Sequence, residues 1–163
     1  MSTQYAGLTH RKESEPRCEM CSVRVGSSLF GFPITHILEI VGGVTPQRIP
    51  LAPDFVGGLF HYRGDVLTTV SLRQLLSLPA SPSVREDRHD ILVLEGSSGC
   101  FGLLVDSVGE VLRVSTADYE PNPPMLGAGR RTLFAGAYKL KDGLLVMLDP
   151  ERLDPMLLAA TAA

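Results

Sequence analysis

The chain has 163 residues, 44% of them hydrophobic with no tryptophan, and a formal net charge of −3. That length suits one globular unit or two small lobes sharing an aliphatic core, and the acidic balance excludes the concentrated basic footprint of a nucleic-acid binder. No apolar run approaches the roughly 18 residues of a membrane span, no secretory h-region opens the chain, and three cysteines, an odd number, suit a reducing cytosol better than a disulfide framework.

Residues 1–19 are polar, with His10-Arg11-Lys12-Glu13 near their centre, and read as a flexible tail. Alternation over Met20–Val25 predicts a first strand, Gly26-Ser27-Ser28 a turn, and Leu29, Phe30 and Phe32 a second strand. Pro33 suits the first position of a short helical turn through Leu38. Glu39-Ile40-Val41 resumes extended structure until Gly42-Gly43 breaks the run. Pro46, Pro50 and Pro53 hold the next segment as an extended loop, because proline fixes its own φ and biases its predecessor away from helix. Gly57–Leu67 reads as a hairpin with Arg63-Gly64-Asp65 near its turn.

Ser71-x-x-Gln74 forms a capping box ahead of a helix over Leu72–Leu78, which Pro79 ends. Pro79–Asp90, rich in proline, serine and charge, is the expected linker. Ile91-Leu92-Val93-Leu94 is an all-apolar run typical of a strand covered on both faces, and Gly96-Ser97-Ser98-Gly99 is its turn. Pro121, Pro123 and Pro124 give a second proline-rich loop. Asp149-Pro150 repeats the junction at Ser71, and residues 154–163 make a tail that is helical at best and frays.

These elements occur twice. Phe30-Gly31-Phe32-Pro33-Ile34 through Glu39-Ile40 recurs as Phe101-Gly102-Leu103-Leu104-Val105 through Glu110-Val111, an offset of 71 from Phe30 to Phe101. Gly58 through Ser71 recurs without a gap as Gly136 through Asp149, an offset of 78. Two blocks repeated in one order at nearly one spacing indicate an internal duplication, which dictates architecture. Short strands at regular spacing with little helix predict a mainly β fold of two small barrels, one lobe over about 20–80 and the other over about 90–150.

No motif organises catalysis. His36, His61, His89 and Asp106 could serve a hydrolase, but no Gly-x-Ser-x-Gly elbow surrounds any serine. A phosphate-binding glycine loop is missing too, so no nucleotide or other cofactor is expected. Cys18-x-x-Cys21 supplies half of a zinc site without the second pair, so no metal is expected. Cys100, beside Phe101, reads as a buried inert thiol. Arg63 has two readings, a turn arginine in a weak exposed ion pair or a five-donor fork grasping a partner's carboxylate at the mouth of an inter-lobe groove. Glu39 and Glu110 are equivalent strand carboxylates, and His61 flanks Arg63 as a surface residue.

The order Phe30-Gly31-Phe32-Pro33-Ile34…Leu38-Glu39-Ile40-Val41, then Ile49-Pro50-x-Ala52-Pro53-x-Phe55-Val56-x-Gly58, Tyr62-Arg63-Gly64 and Leu103-Leu104-Val105-Asp106-x-Val108 resembles the CheW-like domain of chemotaxis coupling proteins. The resemblance runs from about Met20 to Leu153. It implies two SH3-like five-stranded β-barrel lobes around a shared apolar core, with short helices. It further implies a non-enzymatic cytoplasmic adaptor that joins the cytoplasmic tips of methyl-accepting chemoreceptors to the regulatory domain of a CheA-type histidine kinase, with neither nucleic acid nor membrane insertion. A scaffold of a non-flagellar sensory or surface-motility pathway is the alternative. By that likeness Arg63 matches the arginine of the family's Asn-Leu-Arg-Gly motif, with His61, Tyr62 and Gly64 completing it here. Glu39, Ile40, Val41 and Gly58 match neighbouring partner-contact positions, and Val105 and Asp106 match the second-lobe Val-Asp. Ser71 and Thr68 stand where the family has Asp and Pro.

Overall fold

The computed structural model describes residues 16–80, 88–122 and 133–161. Residues 1–15 of the tail expected over 1–19, the middle of the linker and the Pro123-Pro124 pair lie outside those residues, while Arg17–Glu19 of that tail are already strand. The chain is mainly β, in two sheets with a few short helices. Strands β1 (Arg17–Val25), β2 (Ser28–Pro33), β3 (Ile37–Val44), β4 (Val56–Tyr62) and β5 (Asp65–Ser71) belong to the first sequence copy. The second copy supplies β6 (His89–Gly96), β7 (Gly99–Val105), β8 (Ser107–Ser115), β9 (Tyr119–Glu120), β10 (Phe134–Leu140) and β11 (Gly143–Leu148).

The sheets do not follow the copies. One runs β3-β6-β7-β5-β4, the other β8-β1-β2-β11-β10-β9. Each copy therefore inserts its first hairpin into the sheet built by the rest of the other copy. The joints repeat: β5 pairs parallel to β7 with Thr69 opposite Gly102, and β11 pairs parallel to β2 with Met147 opposite Gly31. These are the same pairing in the two copies, since Met147 follows Thr69 by the offset of 78 and Gly102 follows Gly31 by 71.

Twist rolls each sheet towards closure. In the first, the chain beyond β3 reaches β4, where Gln47 and Leu59 exchange both backbone hydrogen bonds at 2.8 Å. In the second, β9 reaches β10 in the equivalent way, pairing Glu120 with Ala137. The barrels are thus completed by a bridge or a two-residue strand and not by a full ladder. Both closures sit beside a bulge, at Gly58 (φ +130°) and at its counterpart Gly136 (φ +113°). A Cβ on Gly58 would collide with the Gln47 carbonyl oxygen, so glycine is required there for the approach of the closing segment.

Three apolar clusters follow from this arrangement. Phe60, Leu67, Ile91 and Val93 fill the first barrel, and Met20, Val114, Tyr138, Leu145 and Met147 fill the second. Between them a larger core gathers Val23, Phe32, Val70, Leu92, Leu94 and Phe101 with others from both copies. The four residues Ile91–Leu94 are all fully buried. Alternate side chains of β6 serve the first barrel and the shared core, which is why the run has no polar face. Each such side chain stabilises by roughly 1.5–3 kcal/mol.

Local departures have physical causes. Pro33 is the last residue of β2 and precedes a 3-10 turn over Ile34–His36, which stops two residues short of the expected Leu38. Gly42-Gly43 stays inside β3, where the register shifts between Val41 and Val44, so the pair makes a bulge and not a break. The capping helix covers Leu72–Leu75 alone. Ser71 Oγ accepts from the Gln74 amide at 3.4 Å, and Ser77 (φ +52°) turns the chain before Pro79 is reached. Residues Pro155–Thr161 form a docked helix, anchored by buried Leu158 and capped by buried Asp154, which accepts from the Met156 amide at 2.9 Å and the Ser98 amide at 3.2 Å.

Candidate functional site

Arg63 and Gly64 are the two central residues of the β4–β5 turn, with φ of +49° and +83°. Positive φ at both positions matches the right-handed twist of the flanking strands, but an arginine there sits in a left-handed conformation that costs about 1 kcal/mol. Its guanidinium lies 5.4 Å from the centroid of the Tyr62 ring and 3.2 Å from Glu39 Oε2. Glu39 is on β3 and Tyr62 on β4, the opposite edges of one sheet, so the rolling of that sheet is what assembles the three. Hydrogen bonding to Glu39 pushes the Tyr62 phenol above its ordinary value.

Exposure decides what the cluster can do. The Arg63 side chain is 73% exposed and Glu39 38%, so the pair contributes well under about 1 kcal/mol to stability. Glu39 Oε2 is closed off from water and lacks a hydrogen bond of good geometry. The arrangement therefore aims a mostly solvated five-donor fork outward without neutralising it in the interior. Beside it on β3, Leu38 and Ile40 are 49% and 47% exposed. His61 is exposed on β4, in register with exposed Val66 on β5.

Glu39, Arg63 and Gly64 thus meet at one end of the first barrel, while Ile40 and His61, next in sequence to Glu39 and Tyr62, are exposed on the opposite faces of their strands. The other anticipated residues lie elsewhere. Val41 packs against the first-barrel cluster, Gly58 forms the closing bulge, and Val105 is buried in the shared core. Asp106 accepts from Arg73 Nη2 at 2.5 Å and from the Gly26 amide at 2.6 Å, while its own amide donates to the Arg24 carbonyl at 3.1 Å. It ties the β7–β8 corner to the β1–β2 turn and to the helix at Leu72. With side chains 17% and 9% exposed, the pair is one whose breaking costs about 3 kcal/mol. Tyr62 was read in the sequence as part of the Arg63 motif and not among the candidate contact residues. Its adjacency to Arg63 was a signal, but its contact with Glu39 depends on how the sheet rolls. Glu110 is exposed on β8, and its carbonyl accepts from Ser22 Oγ at 2.7 Å.

The buried thiol expected at Cys100 is found instead at Cys21. Cys100 is exposed near the start of β7, whereas Cys21 is buried in the shared core, where burial pushes its thiol up. Among the described residues no group of His, Cys, Asp and Glu is arranged to hold a metal ion, and no helix is long and apolar enough to cross a membrane.

A family model described as the CheW-like domain matches residues 19–155. The chain is 29% identical over 143 residues to the chemotaxis protein CheW of Helicobacter pylori, covering 88% of this chain and 85% of the relative. It is 31% identical over 138 residues to that of Rhizobium meliloti, covering 84% and 87%. To protein FrzA of Myxococcus xanthus it is 30% identical over 117 residues, covering 71% and 70%. The crystal structure of scaffolding protein TtCheW from Thermoanaerobacter tengcongensis matches with a TM-score of 0.74 at 23% identity, over 85% of this chain and 92% of that one, a likeness of fold.

Proposed function

The chain belongs to the CheW-like domain family, and on that premise we propose that it is a non-enzymatic cytoplasmic adaptor of chemotaxis signalling. It couples the cytoplasmic tip of methyl-accepting chemoreceptors to the regulatory domain of a CheA-type histidine kinase. The observation that carries this reading is the exposed guanidinium of Arg63, held over Tyr62 and against Glu39 beside exposed Leu38 and Ile40. An apolar strip supplies affinity for a helical or strand partner, and a planar fork fixes its orientation through a carboxylate. Glu39, Ile40, His61, Arg63 and Gly64 make contact in this scheme, while Val41, Gly58, Val105 and Asp106 hold the frame that presents them.

Co-sedimentation of the chain with a receptor cytoplasmic fragment and a CheA-type kinase tests the proposal. Arg63→Glu, which reverses charge at an exposed position, is expected to weaken ternary assembly by about tenfold or more. Unchanged assembly would remove Arg63 from the contact surface. A second reading, a scaffold of a non-flagellar sensory pathway, is favoured by His61-Tyr62 at the rim where the family motif has Asn-Leu. It is distinguished by which receptor fragment, flagellar-pathway or not, sediments with the chain.

A further inference from the structure

The internal duplication also pairs two grooves, and among the described residues they differ in what covers them. One, of about 300 Å³, is lined by Val56, Val66, Thr68, Cys100 and Phe101 on the first barrel, and by Met156 and Ala159 of the helix Pro155–Thr161. The other, of about 1140 Å³, is lined by Phe134, Leu144, Val146, Leu29 and Phe30 of the second barrel. Taken in order, these five residues are the counterparts of the first five, at offsets of 78 and 71. Leu76 and Leu78 stand in the second groove where Asp154 and Met156 stand in the first.

The difference has a cause in the sequence. The segment of the first copy equivalent to the helix Pro155–Thr161 is Ser77–Ser83, whose sequence carries Pro79 and Pro82 and whose described part opens on a turn at Ser77 (φ +52°). The capping carboxylate is missing as well, since Asp154 has Leu76 as its equivalent. The helix beside the first groove buries Leu158 in the shared core and walls the groove with Met156 and Ala159. The second groove keeps an apolar floor, with Leu144 56% exposed and Arg24, Lys141, Glu120 and Asp142 at the rim.

We infer that the groove on the second barrel is a docking seat for a short amphipathic helix of another protein, received as the first barrel receives this chain's own C-terminal helix. The occupant presents apolar side chains three residues apart on one face, as Met156 and Ala159 do, and polar groups of both signs to the mixed rim. This seat is separate from the Arg63 cluster and does not depend on the coupling role.

The probe is a fluorescein-labelled peptide with the sequence of residues 150–163, titrated by anisotropy into the full chain. Saturable binding is expected, weakened about tenfold by Leu144→Arg or the milder Leu144→Asn, and changed less than about twofold by Val66→Arg on the first barrel. Both positions are exposed, at 56% and 55%, so thermal melts of these variants should match wild type. Amide shifts should cluster at Leu29, Leu112 and Leu144. Absence of saturation by about millimolar peptide, indifference to Leu144→Arg, or shifts centred on Cys100 and Val66 would overturn the inference. So would self-association abolished by Leu144→Arg, which assigns the groove to a second copy. Tighter peptide binding after replacing residues 123–132 with a Gly-Ser linker would assign it to the chain itself and likewise overturn the inference.

Discussion

Arg63 combines an unfavourable backbone conformation with an ion pair too exposed to offset it. A left-handed arginine costs about 1 kcal/mol, whereas asparagine visits that region readily, and the Glu39 contact contributes less than that cost. Arg63→Asn should therefore leave stability unchanged or raise it by up to about 1 kcal/mol in urea unfolding, while weakening partner co-sedimentation. A clear loss of stability would instead make Arg63 a structural residue. The thiols give a second test. Cys21 is buried with its thiol pushed up and Cys100 is exposed, so an aromatic disulfide reagent at mildly alkaline pH should label Cys100 first and Cys21 last. All three cysteines should react together in denaturant. The apolar neighbours of Cys100 suggested the opposite, because they reveal nothing of which face of a strand end meets water.

The bulge glycines show how far a repeat can be read. The alignment of Gly58 with Gly136 was legible, but its reason was not, since the carbonyl that excludes a side chain comes from the closing segment. At Gly136 a Cβ would lie 2.6 Å from the Tyr119 ring and 2.8 Å from the Glu120 carbonyl oxygen. Gly58→Ala and Gly136→Ala should each cost more than about 3 kcal/mol, through strain and a backbone clash together. Gly43→Ala, also at positive φ (+68°) but with open space around it, should cost nearer 1 kcal/mol. Equal losses at all three would mean that φ alone matters. The same limit applied to the site. The turn at Arg63-Gly64 was visible in the sequence, but Glu39 and Tyr62 meet through curvature, which no local pattern encodes. Val105 and Asp106 were legible only as the family's second-lobe Val-Asp pair, because the groups that hold Asp106, Arg73 and the Gly26 amide, belong to the other copy.

The duplication announced two lobes, read as one copy to each over about 20–80 and about 90–150, whereas each sheet mixes strands of both copies. Hydrophobic alternation marks a strand and its buried face, and says nothing of whether β2 adds beside β5 or beside β11. The exchange of hairpins has a measurable consequence. A half ending between Ala80 and Arg88 keeps the β1–β2 and β4–β5 hairpins, but β3 loses β6 and β5 loses β7. The other half keeps β6–β7 and β9–β10–β11, but β8 loses β1 and β11 loses β2. Isolated hairpins are marginal in water, and the shared core draws on both halves. Fragments 1–84 and 85–163 should therefore each lack a cooperative unfolding transition by circular dichroism. Mixed in equal amounts, they should recover the β spectrum and co-elute as one species. Independent folding of either fragment would show that a copy can close its own sheet, and the interlocked sheets would then be a preference of the joined chain and not a requirement for its stability.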